Sequence, residues 1–351
     1  MSPLLQTSIE STLESYYDSL QAGAALLIAE KDTLVFQKEL GLADILHNQK
    51  ITPETNFRMA SVSKQFTAMC ISLLEQRGLL SYDDNLLHFF PEFCPIGARV
   101  KLRHLLTHTS GLLDYENFVG RSISIQVSDV EVLQIMASRN KTYFEPGTAF
   151  RYSNTGFVLL ALIVEKVSGF PYAAFLHHHI FKPLGMDHTV LYEQGINIAS
   201  RAMGYARNEH DKLIFADQGV CTATKGDGCI YTSLQDYQKW QQALCREGKF
   251  SIIPLLEAVN APVDDQNGWL YGMGWFFSKR ADGSYELYHT GNTTGFSHLV
   301  IMYPEREALI AYFSNSADNP HLLQDFLQAL QAYPELAPQS DLVNALGELT
   351  R

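Results

Sequence analysis

Strand-type segments lie at both ends of this chain, and a long helical stretch separates them. Residues 23–30 read as a strand, Lys31-Asp32 as a turn and residues 33–40 as the returning strand. Strand patterns resume only after Gly268, over residues 271–278, 285–289, 297–303 and 308–313. Between about Leu80 and Ala223 the better patterns are helical, over residues 102–106, 128–137 and 156–167, with Ser168-Gly169 closing the last. Amphipathic helices are expected at the two ends, through Leu5, Ile9, Leu13, Tyr16, Tyr17 and Leu20, and through Leu322, Leu323, Phe326, Leu327 and Leu330. The expected outcome is one sheet drawn from both ends, a helical region packed beside it, and a cleft between them.

Composition supports this and removes some functions. With 351 residues, 46% hydrophobic and 18% charged, the chain can bury a large core. Its formal charge is −12 and it has no Lys/Arg-rich run, so neither nucleic acid nor an anionic membrane is expected as a partner. The N-terminus lacks the basic start and continuous apolar core of a signal peptide, and no apolar run approaches the ~20 residues that span a bilayer. Five cysteines without CxxC spacing read as reduced, mostly buried thiols. Together these lead us to expect a cytoplasmic protein.

The chemistry is concentrated in three short segments. Ser61-Val62-Ser63-Lys64 opens a helix whose apolar stripe is Val62, Phe66, Met69, Cys70, Leu73 and Leu74, with Gly78 as its stop. A serine hydroxyl is a poor nucleophile, and a lysine one turn later on the same face can help remove its proton. At a helix N-terminus, unpaired N–H groups also favour developing negative charge. The spacing recurs at Ser138-Arg139-Asn140-Lys141, without that context. Tyr152-Ser153-Asn154 offers a phenol, whose pKa nearby cations would lower, and an amide able to bond both Lys64 and a substrate carbonyl. His289-Thr290-Gly291 ends a strand. There His289 can supply charge or a donor, Gly291 lets substrate approach the backbone, and the strand edge can take an extended peptide.

Other features read as structure. His177-His178-His179 point in different directions on a helix, and His104 and His108 lack a third ligand and the HExxH glutamate. No metal is expected. Tyr115 and Asn117, which follow Thr109-Ser110-Gly111, either touch substrate or form a plain surface loop. Trp269, Tyr271 and Trp275 read as core or cleft wall.

In this order and context the three segments resemble the class C β-lactamase-like serine hydrolases. That group includes class C β-lactamases, D-alanyl-D-alanine carboxypeptidases, D-aminopeptidases and related esterases. The resemblance runs from about Leu20 to Leu330. It is dense at residues 57–68, 102–113, 144–156 and 289–296. It implies an α+β fold of the β-lactamase/DD-peptidase type, an antiparallel sheet flanked by terminal helices. One catalytic domain would cover residues 1–333, with its sheet region at about 1–60 and 224–333 and its helical region at about 80–223. Residues 334–351 would be a loosely specified tail.

The resemblance also implies roles. Ser61 is the acylated nucleophile, Lys64 and Tyr152 share the general-base work, and Asn154, His289, Thr290, Gly291 and Asn292 bind substrate. The oxyanion hole is the backbone N–H of Ser61 and of Asn292. No cofactor is implied. Most class C enzymes carry lysine where His289 stands, so a fixed charge becomes one that depends on pH. The reading is a serine hydrolase cleaving an amide or ester in a small molecule or short peptide, with D-residue peptides and small esters foremost. The alternatives are a β-lactam-binding enzyme (β-lactamase or D-alanyl-D-alanine carboxypeptidase) and, from another class, a binding protein that kept the fold without turnover.

Overall fold

The computed structural model describes residues 3–120, 125–317 and 320–350. Helix α1 (Pro3–Tyr16) buries Leu5, Ile9 and Leu13, three positions spaced four apart. Strands β1 (Ala24–Glu30) and β2 (Thr33–Leu40) form the expected hairpin. Helix α2 (Lys64–Glu75) follows the short strand Phe57–Arg58 and a 3-10 turn, Ala60–Ser63. The middle of the chain holds α3 (Asp129–Arg139) and α4 (Asn154–Ser168). A capping box opens α3: the Glu131 amide donates to Ser128 Oγ, and the Ser128 amide donates to the Glu131 carboxylate. Gly169, at φ +72, ends α4.

After α5 (Leu234–Cys245) the chain returns to strand. The strands are β3 (Ala261–Asp264), β4 (Trp269–Gly272), β5 (Trp275–Lys279), β6 (Tyr285–Thr293), β7 (Phe296–Tyr303) and β8 (Ala308–Ser314). Helices α6 (Pro320–Leu330) and α7 (Leu342–Leu349) end the chain. The eight strands form one antiparallel sheet, ordered β3-β4-β5-β6-β7-β8-β1-β2. β8 against β1 is the join that brings the two ends of the chain together. Six of the seven β1 residues and all of β8 are buried, because helices cover both faces of the sheet. α5 lies against β1 and β8. On the other face α1 packs on α6, and α7 packs on β5 and β6.

Three expectations change. The strand expected at 271–278 is two strands. Met273 (φ +54) and Gly274 (φ +80) make a tight hairpin turn, and the left-handed conformation at both suits the twist of the pair. Residues 334–351, expected to be loosely specified, carry α7 with Leu342 and Leu346 buried; its apolar spacing is short, and only the sheet gives it a surface to cover. α2 is not amphipathic, since every residue from Lys64 to Leu74 is buried, with α4 packed along it and the β4–β5 turn against its first residues. Its polar side chains are matched inside only in part: Gln65 Oε1 accepts from Tyr237 Oη (2.8 Å) and Trp240 Nε1 (3.2 Å), while Gln65 Nε2 is buried without a partner.

Candidate active site

The first residues of the site are set by an unusual backbone. Ala60, immediately before Ser61, has φ +47, a left-handed conformation that L-residues avoid at about 1–2 kcal/mol. It tightens the chain from strand Phe57–Arg58 into the 3-10 turn and places Ser61 at the cleft, short of the α-helix proper. Ser61 is not a helix cap; its Oγ accepts from Lys64 Nζ at 2.9 Å. Lys64 is fully buried, and its Nζ also donates to Asn154 Oδ1 (2.7 Å) and the Asp227 carbonyl (3.1 Å). Three acceptors suit an ammonium. The same positions suit a neutral amine with two N–H donors and its lone pair turned to the Ser61 hydroxyl.

Tyr152 and Asn154 meet Lys64 because α4 starts there. The Asn154 amide N–H donates to Asp114 Oδ2 (2.7 Å), and its side-chain Nδ2 donates to Glu116 Oε1 (2.9 Å). Asn154 is thus held by three groups and keeps one side-chain N–H. Lys64 Nζ lies 5.0 Å from the centre of the Tyr152 ring. The Tyr152 hydroxyl is buried without a close hydrogen-bond partner. Burial raises its pKa, and Lys64 and Ser61 oppose this only in part, so the net direction is upward. The expected lowering by nearby cations is overturned here by desolvation.

The third segment departs further from expectation. β5 pairs with β6 only as far as Tyr288, whereas β7 pairs with it to Thr293. From His289 onward the β5-side edge of β6 therefore carries no strand partner among the described residues. This is the edge expected for substrate. His289 itself is wholly buried: its Nδ1–H donates to the Thr290 carbonyl (2.6 Å), and Tyr271 Oη lies 3.4 Å from Nε2. Burial and Lys64 push its pKa down to about 3, so it is neutral at ordinary pH. The expected pH-dependent charge is absent because the aromatic wall of Tyr152, Tyr271 and Phe276 surrounds the ring.

Gly291 also has a different reason. A Cβ there would lie 2.4 Å from the Met59 carbonyl oxygen and 3.3 Å from Val62, so it is the protein's own turn that needs the space. Thr290 is buried; Asn292 is exposed, and its Oδ1 accepts from Ser297 Oγ (3.0 Å).

Glu116 was not singled out by the sequence, although it sits between Tyr115 and Asn117. Tyr115 is buried, its Oη 3.0 Å from Thr224 Oγ1 and 3.1 Å from Asp227 Oδ2, so it turns away from the cleft. The 3-10 turn Tyr115–Asn117 leaves Glu116 at the mouth. Although it reaches solvent, partial burial and the Asp114 and Asp227 carboxylates push its pKa up to about 7. The repeated S-x-x-K spacing has no such setting, and Ser138 Oγ donates to its own helix at Ile135 O (2.8 Å).

His179 bonds Arg77, and His104 Nδ1 accepts from the Lys101 amide. Among the described residues no group of three or more His, Cys, Asp or Glu side chains is arranged to hold a metal. Cys70 and Cys229 are buried and Cys94 is exposed, so the cysteines are less uniformly buried than expected. No single described helix is long and apolar enough to cross a membrane.

Comparison with known proteins gives the family and the fold. The model of the Beta-lactamase family matches residues 13–333. Penicillin-binding protein 4* of Bacillus subtilis is 32% identical over 345 residues, covering 93% of this chain and 74% of that protein. A penicillin binding protein from Bacillus halodurans superposes with a TM-score of 0.78 at 25% identity, over 95% of this chain and 99% of that one. The D-amino acid amidase of Ochrobactrum anthropi, at 24% identity, shares the fold with a TM-score of 0.76 over 94% of this chain and 99% of that one.

Proposed function

This chain belongs to the Beta-lactamase family, and from that footing we propose that it is a serine hydrolase working through a Ser61 acyl-enzyme. The observation that carries the reading is the placement of Lys64 Nζ between Ser61 Oγ and Asn154 Oδ1. In acylation the Ser61 proton passes to the Lys64–Tyr152 pair as Oγ bonds to the carbonyl carbon. The backbone N–H groups of Ser61 and Asn292 hold the oxyanion. The C–N or C–O bond then breaks, and the leaving group takes a proton from Tyr152. Water gives a proton to the same pair as it adds to the acyl carbon; the C–Oγ bond then breaks and Ser61 Oγ takes that proton back. A buried phenol of raised pKa suits the acid half of this cycle.

The substrates proposed are small peptides or amides with D-residues, and small esters. Two observations favour a substrate with a free amine over one recognised by its carboxylate. His289, where a cation would pair with a carboxylate, is buried and neutral. The Glu116 carboxylate at the mouth is a partner for an ammonium group. The free cysteines favour a reducing compartment, so we propose that the protein is cytoplasmic.

The test is hydrolysis of p-nitrophenyl acetate and D-phenylalanine p-nitroanilide by wild type, Ser61→Ala and Lys64→Ala. Loss of turnover in both variants is expected. Wild-type turnover that survives in Ser61→Ala sinks the proposal. A stable adduct with benzylpenicillin, read by intact mass, would move the substrate assignment to β-lactams.

A further inference from the structure

His108 lies behind the site, fully buried, with φ +56. Its backbone carbonyl accepts from the Arg151 amide (2.9 Å), and its Nδ1 accepts from the Ser153 amide (3.1 Å). The residues on both sides of Tyr152 are thus held by one residue. The imidazole also lies against the Tyr152 ring, centroid to centroid 4.2 Å, and against Tyr271 at 4.4 Å. The tautomer follows from the donor: an amide N–H pointing at Nδ1 requires its lone pair, so the proton sits on Nε2.

This matters because the Tyr152 hydroxyl makes no hydrogen bond of ordinary geometry and has only the looser pull of Lys64 and Ser61. Little at the oxygen fixes where the phenol points. Its direction comes from the main chain on either side and from the rings against it, and His108 supplies both main-chain contacts and the nearest ring of that group. Ser153 also precedes the first residue of α4, so the same bond sets the start of the helix that presents Asn154 to Lys64.

We propose that His108 is the positioning residue of Tyr152, acting through the Arg151 and Ser153 amides and through ring contact, without touching substrate. The inference rests on the reading of Tyr152 as a proton-transfer group. The left-handed backbone narrows what can replace it. Asparagine tolerates that conformation, and its Oδ1 can accept where Nδ1 does; leucine can do neither. Glycine accepts the backbone conformation but offers no acceptor.

The experiment combines kinetics with a measurement on the unaltered protein. His108→Leu should lower kcat by on the order of 100-fold on p-nitrophenyl acetate, the usual effect of about 1 Å of misplacement, with little change in KM. His108→Asn should recover most of that loss. If His108→Leu does not fold, His108→Gly takes its place. In the wild type, ¹⁵N NMR of His108 should show Nδ1 unprotonated and Nε2 protonated from pH 5 to 8. Unchanged kcat in a folded Leu or Gly variant, no recovery with Asn, or a proton on Nδ1 would each overturn the proposal. A wild type without Ser61-dependent turnover would overturn the hydrolase reading and this inference with it. Normal wild-type turnover with unaffected variants would overturn this inference alone.

Discussion

Replacing Gly291 with alanine tests the site where strand and nucleophile meet. The new Cβ would lie 2.4 Å from the Met59 carbonyl oxygen and 3.0 Å from His298 Cδ2. An unstrained carbon–oxygen approach is about 3.3–3.6 Å, so the two backbones must part by about 1 Å. Met59 cannot easily yield, because its amide donates to the Ile230 carbonyl at 2.8 Å. The movement therefore falls on β6. Its amide at Asn292 and that of Ser61 are the proposed oxyanion donors, and an extra 1 Å between them should lower kcat by on the order of 100-fold, about 2.7 kcal/mol. Overpacking at a buried contact should also lower stability by about 1–3 kcal/mol. The assay is steady-state hydrolysis of p-nitrophenyl acetate with a thermal melt on the same preparation. A folded Gly291→Ala protein with wild-type kcat would refute both the contact and the oxyanion assignment.

Two further outcomes follow from the acidic groups. Glu116→Gln should raise KM for D-phenylalanine p-nitroanilide about tenfold, the loss of one charge-assisted hydrogen bond at a partly wet site, and leave p-nitrophenyl acetate unaffected; equal effects on both would remove Glu116 from amine recognition. Asp129 is buried beside Asp227 and Glu165, and its pKa is pushed up to about 7, so the folded state holds its proton more tightly than the unfolded chain does. Its contribution to stability is therefore full near pH 4 and is lost as pH rises through 7. Asp129→Asn, which keeps an acceptor for the Lys225 amide at 2.9 Å, should gain on the wild type in urea midpoint between pH 5 and 8; parallel curves would contradict the raised pKa.

Much of the frame was legible in order and period. The strands at either end, α1, α4 and the β1–β2 hairpin were expected close to where they lie, because their apolar spacing or turn chemistry is local. So was the nearness of Ser61 to Lys64, one turn apart. What sequence alone determined is therefore the residue types that carry chemistry and the elements that carry them. Tertiary structure decided the surroundings of those residues. It buried α2 on all sides, enclosed His289 and removed its charge, raised the Tyr152 pKa against the pull of Lys64, and turned Tyr115 inward while leaving Glu116 at the cleft. It also gave His108 hold of both neighbours of Tyr152, across more than forty positions of chain. The physical reason is that period and turn chemistry act between neighbours in sequence, whereas desolvation, charge and close packing depend on which distant segments fold against each other.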